Sequence, residues 1–244
     1  VSLLVQYIDL IDECRGICDL DSSDHIELAE WKRLFARVYR QFHRKMVNSG
    51  GRYFEQVDDV TAASLAANGD GGGSVNLPAG HYGTMGVYFV DASGEWCPLW
   101  EMMAQDRHVF SSVTGATDAQ AYALVGSNPG KLILYPKPAT GTYKHAYVPQ
   151  PTDLSGAADA TQVDVINGDG HDYLIWGVAR LATNKEEDPE LYAIRAAEWE
   201  RADVALGEAA QDRAILNLKV RHVDWGREVG DEPYDPADYH LRRY

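Results

Sequence analysis

Residues 24–46 read DHIELAEWKRLFARVYRQFHRKM. Leu28, Trp31, Phe35, Val38 and Phe42 recur there at steps of three and four, which is the spacing of one helix face. Asp24 is placed to cap this helix, with Glu27 three residues on as the reciprocal partner. The helix is expected to run to about Met46 and to stop before Gly50 and Gly51. Upstream, Leu3, Leu4, Tyr7, Ile8, Leu10 and Ile11 predict a short helix over residues 3–16. Gly16 and the polar run from Asp19 to Asp24 interrupt it.

Downstream the period changes. Residues 61–67 are small, and four glycines follow between Asn68 and Ser74. That segment reads as a flexible loop, and no Gly-Lys-Ser/Thr follows to make it a phosphate cradle. Strands are expected at Met85–Val90 and Glu95–Trp100, returning across Asp91–Gly94. Ala121–Val125 and Lys131–Tyr135 pair around Asn128-Pro129-Gly130, and Pro136 and Pro138 end the second of them. Tyr143–Val148 is the last strand, closed by Pro149 and Pro151. Helix returns over Tyr173–Thr183 and ends at Asn184. Asp188-Pro189 then opens a long helix to about Arg213, with Asp as cap and Pro in the first position. The fold class is α+β. N- and C-terminal helices (1–50 and 153–214) form a bundle, with an inserted β-rich region (51–152) and an extended C-terminal arm (215–244).

The chain has 244 residues, 45% of them hydrophobic and 24% charged, which is ordinary for a globular protein able to build its own core. No apolar run approaches the roughly 20 residues a bilayer requires, so no membrane partner is expected. Asp9, Asp12 and Glu13 interrupt the first apolar stretch, so no signal peptide is expected either. The net charge is −15, and such a field disfavours non-specific adhesion to nucleic acid. The charges divide as 23 Asp to 14 Glu and 15 Arg to 7 Lys. Two readings of that skew stay open: life in high salt, or a G+C-rich genome. Three cysteines are too few for a disulfide framework. Cys14, Cys18 and Cys97 read as buried or half-buried thiols.

Against that acidic background the 24–46 helix is unusual. Arg33, Arg37, Arg40 and Arg44 fall within about 60° of one another, nearly opposite the apolar stripe. Lys32 and Lys45 bring the helix to six of the chain's 22 bases. The readings are a solvated face, an acidic neighbouring subunit, or passing DNA. The arm carries Pro233 and Pro236, the aromatics Trp225, Tyr234, Tyr239 and Tyr244, and the pair Arg242-Arg243. Aromatics isolated on a polar segment suggest docking on a partner, against packing on the arm's own domain.

Signs of chemistry are thin. Asp19, Asp21 and Ser23 fall at positions 1, 3 and 5 of a calcium loop, and Glu30 at position 12. The sixth position is Asp24, where such a loop needs glycine, and the segment reads better as a capped helix entry. A metal site assembled from distant histidines, His81 and His145 for example, is a weaker reading still. No motif of nucleophilic, metal-protease or dinucleotide chemistry occurs. The expectation is therefore no catalytic residues, no metal and no cofactor.

The order of motifs resembles a head-to-tail adaptor (connector or head-completion) protein of tailed phages or tailed archaeal viruses. The resemblance is carried over residues 3–213 by the Asp-rich loop before Trp31 and the helix after it, and by Leu77-Pro78 leading to Val87-Tyr-Phe-Val90. Tyr122-Ala-Leu-Val125, Lys131-Leu-Ile-Leu-Tyr-Pro-Lys-Pro138 and Tyr147-Val-Pro149 before Thr152-Asp-Leu154 come next. Tyr173-Leu-Ile-Trp-Gly-Val-Ala-Arg-Leu-Ala182 then precedes Glu186-Glu-Asp-Pro189. The glycine-rich loop and the arm depart from a minimal adaptor. The resemblance implies a homo-oligomeric ring, usually of twelve copies, below the portal protein. It further implies contact with tail or stopper proteins, double-stranded DNA passing through without sequence-specific binding, and a place in the virion neck after assembly in the host cytoplasm. Two other classes stay open: a calcium-binding regulatory protein using Asp19–Glu30, and a ligand-binding β module with its aromatics gathered at one concave site.

Overall fold

The structure is a computed structural model. It describes residues 3–18, 26–50, 52–103, 106, 109, 117–126, 130–185 and 189–225; the side chains of Lys185 and of residues 212–225 are outside that description. The chain is mixed α+β and divides into two compact units. One joins residues 1–52 to 154–244, and the other is residues 53–153.

In the first unit, β1 (Leu4–Gln6) leads into α1 (Tyr7–Cys18). The helix expected over 3–16 thus begins late. Its first residues pair antiparallel with β11 (Gln162–Asp164), in register from Leu4↔Asp164 to Gln6↔Gln162. This partner lies far along the chain, where local periodicity carries no sign of it. α1 then buries Tyr7, Leu10, Ile11, Cys14 and Cys18, one face of the helix. α2 (Leu28–Asn48) follows the expected stripe and buries Trp31, Phe35, Val38, Phe42 and Met46. Its start differs from the expected capping box: Glu27 holds the cap position without a side-chain cap bond, and Asp24 lies outside the described residues.

α3 (Gly168–Lys185) packs against α1, α2 and α4 (Pro189–Trp225). Having three neighbours explains why Tyr173, Leu174, Ile175, Val178, Ala179 and Ala182 are all buried. Gly177 is where α2 and α4 close on α3: a Cβ there would stand 2.8 Å from Val38 Cγ1 and 3.0 Å from Trp199 Nε1. α4 starts with Pro189 in its first turn, where a missing N–H costs nothing. It runs to Trp225, well past the expected Arg213, so the first part of the proposed arm is helical. Residues 214–225 contain neither Gly nor Pro, and extending an existing helix is far easier than nucleating one.

The second unit holds two sheets. One has the order β2 (Gln56–Thr61), β10 (Thr142–Pro149), β5 (His81–Val90), β6 (Trp96–Pro98), all antiparallel. The other has the order β3 (Ala66–Ala67), β4 (Gly73–Asn76), β9 (Lys131–Tyr135), β8 (Ala121–Val125), β7 (Trp100–Glu101), with β7 parallel to β8. Val60, Val87 and Tyr143 of the first sheet share a core with Tyr122, Leu132 and Leu134 of the second. The Tyr143 hydroxyl accepts a hydrogen bond from Ala119 N at 2.9 Å, which ties the sheets together.

The glycine-rich segment is no flexible loop. It is the turn between β3 and β4. Asn68 N donates to Gly72 O at 2.9 Å, and Lys137 N donates to Gly71 O at 2.9 Å. The Tyr135 hydroxyl donates to Asp70 Oδ2 at 2.5 Å. Gly71, at φ 81°, takes a conformation that suits glycine.

Candidate functional site

The six bases of α2 separate into two groups. Lys32 and Lys45 are used internally. Lys32 Nζ donates to Asp159 Oδ1 and to Ala157 O, both at 2.8 Å, and lies over the Tyr7 ring. Lys45 Nζ reaches Asp203 Oδ1 at 2.5 Å and Asp203 O at 2.6 Å, and lies over the Tyr173 ring. These lysines fasten α2 to the segment before β11 and to α4. Arg33, Arg37, Arg40 and Arg44 are all exposed, and among the described residues none of them forms an ion pair. Four uncompensated guanidinium groups in line on a chain of charge −15 make this face the clearest candidate for a contact.

A fifth arginine, which sequence reading passed over, is structural. Arg195 on α4 is buried, donating to Ile17 O at 3.0 Å and to Thr183 Oγ1. Ile17 O belongs to the last turn of α1, whose carbonyls lack helical partners and whose dipole end favours a cation. Arg180 lies 3.8 Å over the Trp199 ring and joins α3 to α4. Within an Ala/Glu/Arg-rich helix no local signal separates such positions from solvated ones.

Of the arm residues, Trp225 is the last residue of α4; Tyr234, Tyr239, Arg242, Arg243 and Tyr244 lie outside the described residues. So do Asp19, Asp21 and Ser23 of the calcium-loop reading, while Ile26 is buried and Glu30 stands in the first turn of α2. The two most exposed tryptophans among the described residues, Trp96 (47%) and Trp100 (59%), lie in different sheets, which weighs against one concave aromatic site. Cys14 and Cys18 are buried, with their thiols toward Ile175 O and Ala179 O; Cys97 is exposed, contrary to expectation, because β6 is an edge strand. Burial pushes the Cys14 thiol well up from its ordinary value, helped by Cys18 and Glu13 nearby.

His81 and His145 do come together. Both Nε2 atoms contact Thr84 Oγ1, at 3.0 and 2.9 Å, and the rings stack 5.6 Å apart, with the Tyr147 ring 5.2 Å from His145 and 5.8 Å from His81. Burial first, and the neighbouring His81 second, hold His145 down to about 4; Asp58 pulls the other way. Among the described residues no group of three or more His, Cys, Asp or Glu is arranged to hold a metal ion. His145 lies within β10 opposite Val87 of the shared core, and His81 opens β5.

The outer face of α2 is thus an exposed arginine line, on a helix that two half-buried lysines fasten to the rest of its unit. A family model, SU10 adaptor protein, matches residues 5–221. The match covers nearly the whole chain, and the chain belongs to that family of phage head–tail adaptors. No curated protein matches it.

Proposed function

We propose that this adaptor forms a ring of twelve copies below the portal, joins capsid to tail, and lets the genome pass without acting on it. The observation that carries the reading is the family match over residues 5–221, and the unpaired arginine face of α2 supports it. In this reading the four helices act as one bundle, the β-rich unit is an insertion, and Arg33, Arg37, Arg40 and Arg44 meet a neighbour's acids or the channel. The segment from Trp225 to Tyr244 docks on the portal, with Trp225, Tyr234, Tyr239 and Tyr244 as anchors and Arg242-Arg243 meeting acids. Tail or stopper proteins bind the opposite end. The protein works in the virion neck after assembly in the host cytoplasm, without enzymatic activity, metal or cofactor. Negative-stain microscopy of the purified protein, alone and with portal, tests this: twelve-fold rings are expected in the mixture. A chain that stays monomeric and leaves portal particles unchanged refutes it.

A further inference from the structure

We propose that the arginine face of α2 and the outer face of α4 are the two halves of one contact, made between successive copies of this chain. The inference rests on the ring reading above and names the partner of the arginines. On α4, Ala202, Leu206 and Ala210 are buried at steps of four. The opposite side carries Ile194, Ala197, Glu200, Val204 and Glu208 at steps of three and four. Ile194 and Val204 are each 60% exposed, although both are β-branched apolar residues. Arg201 is matched by Glu198 at 2.6 Å, whereas Glu200 and Glu208 have no ion pair among the described residues. This face therefore interleaves exposed apolar residues with two unpaired acids. The α2 face offers what it lacks. Arginine stems can cover Ile194 and Val204 while the guanidinium groups reach Glu200 and Glu208 in bidentate geometry.

The dimensions agree. Arg33 to Arg44 spans about 16 Å of helix, and Glu200 to Glu208 about 12 Å. Within one copy, α2 and α4 meet through Lys45 and Asp203, which stand on other sides of their helices, so the two outer faces are left to a neighbour. Unlike faces joined copy to copy make a heterologous contact, the kind from which rings close. DNA is the weaker partner for the arginines. The field of a −15 chain opposes a phosphate backbone, and DNA would leave Ile194 and Val204 uncovered.

The experiment is a charge swap read by sedimentation velocity, at concentrations up to hundreds of micromolar and in low salt. One variant carries Arg37→Glu and Arg40→Glu, and the other Glu200→Arg and Glu208→Arg. Each alone should associate at least roughly tenfold more weakly than the unaltered chain, because like charges face each other at every contact. Mixed in equal amounts they should assemble again. In alternating order one contact is the natural pair and the next is its reversal. Circular dichroism checks that each variant is folded. Should either reversal unfold, Arg37→Gln/Arg40→Gln replaces it, expected to weaken assembly and to flatten its salt dependence. If the variants assemble like the unaltered chain, or lose assembly that mixing does not restore, this contact is wrong and the ring reading stands. If the unaltered chain never associates, alone or on portal, the ring reading falls and the contact with it.

Discussion

Thr84 has one hydroxyl hydrogen to share between two imidazoles. With both rings neutral the arrangement is satisfied: the hydroxyl donates to one Nε2 and accepts from the N–H of the other. A proton on each ring turns both nitrogens into donors, strands the hydroxyl hydrogen, and sets two cations 5.6 Å apart. Around His145 stand His81 and Thr84 from β5, Asp58 from β2 and Tyr147 on its own strand, so Asp58 alone among them favours the charged ring. His145 holds its proton in the folded chain only below about 4, against 6.5 ordinarily. Between those values the unfolded chain binds more protons. The contribution of His145 to stability is therefore complete above the ordinary value and disappears as pH falls through about 4. Its size is at most about 3 kcal/mol. His145→Gln should lower stability at neutral pH, yet lose roughly 2–3 kcal/mol less than the unaltered chain between pH 7 and pH 4. Urea unfolding at both pH values measures this, and parallel losses in the two proteins would refute it.

At the scale of elements, the glycine-rich turn separates two uses of one residue type. A Cβ on Gly72 would come within 2.7 Å of both Ile133 Cγ2 and Tyr135 Cε1, whereas one on Gly69 would meet nothing within 4 Å. Gly72→Ala should cost about 1–3 kcal/mol through forced repacking, and Gly69→Ala close to nothing or slightly the reverse. Equal melting temperatures for the two variants would contradict the close approach. Composition at 68–74 reads only as loop, because its ordering contacts come from Asp70 meeting Tyr135 and Gly71 meeting Lys137, remote in sequence. The same holds for β1, whose apolar residues fit a helix until β11 claims their backbone groups. Where the deciding signal is local, reading and structure agree. The α2 stripe and the β8–β9 hairpin each follow from a run of neighbouring residues, and so does the β5–β6 return over Trp96–Pro98, but Trp100, expected on that same strand, joins the other sheet as β7. Of the candidate site, the arginine line was legible from spacing alone. That Lys32 and Lys45 fasten the helix was not, because Asp159 and Asp203 are supplied by the other end of the chain.

For the whole molecule, the question is which parts hold the fold and which serve contacts. The described core side chains of α4 run from Arg195 through Ala202 and Leu206 to Ala210. Residues 226–244 lie outside the described residues, and the proposed function gives their aromatics and paired arginines to portal contact. Removing everything after Trp225 deletes Tyr234, Tyr239, Arg242, Arg243 and Tyr244 together. Aromatic and arginine anchors at an interface commonly cost 1–2 kcal/mol or more each when truncated, so portal affinity should fall roughly a hundredfold. The melting temperature should move little. If affinity is kept, docking belongs to another surface, and the exposed Trp96 and Trp100 are next in line. If the shortened chain loses its cooperative melt, the segment is part of the domain and the division between core and arm drawn at Trp225 is wrong. Trp225→Ala in the full chain separates the two roles at that boundary. A docking anchor weakens portal binding at unchanged melting temperature, whereas a packing residue lowers both.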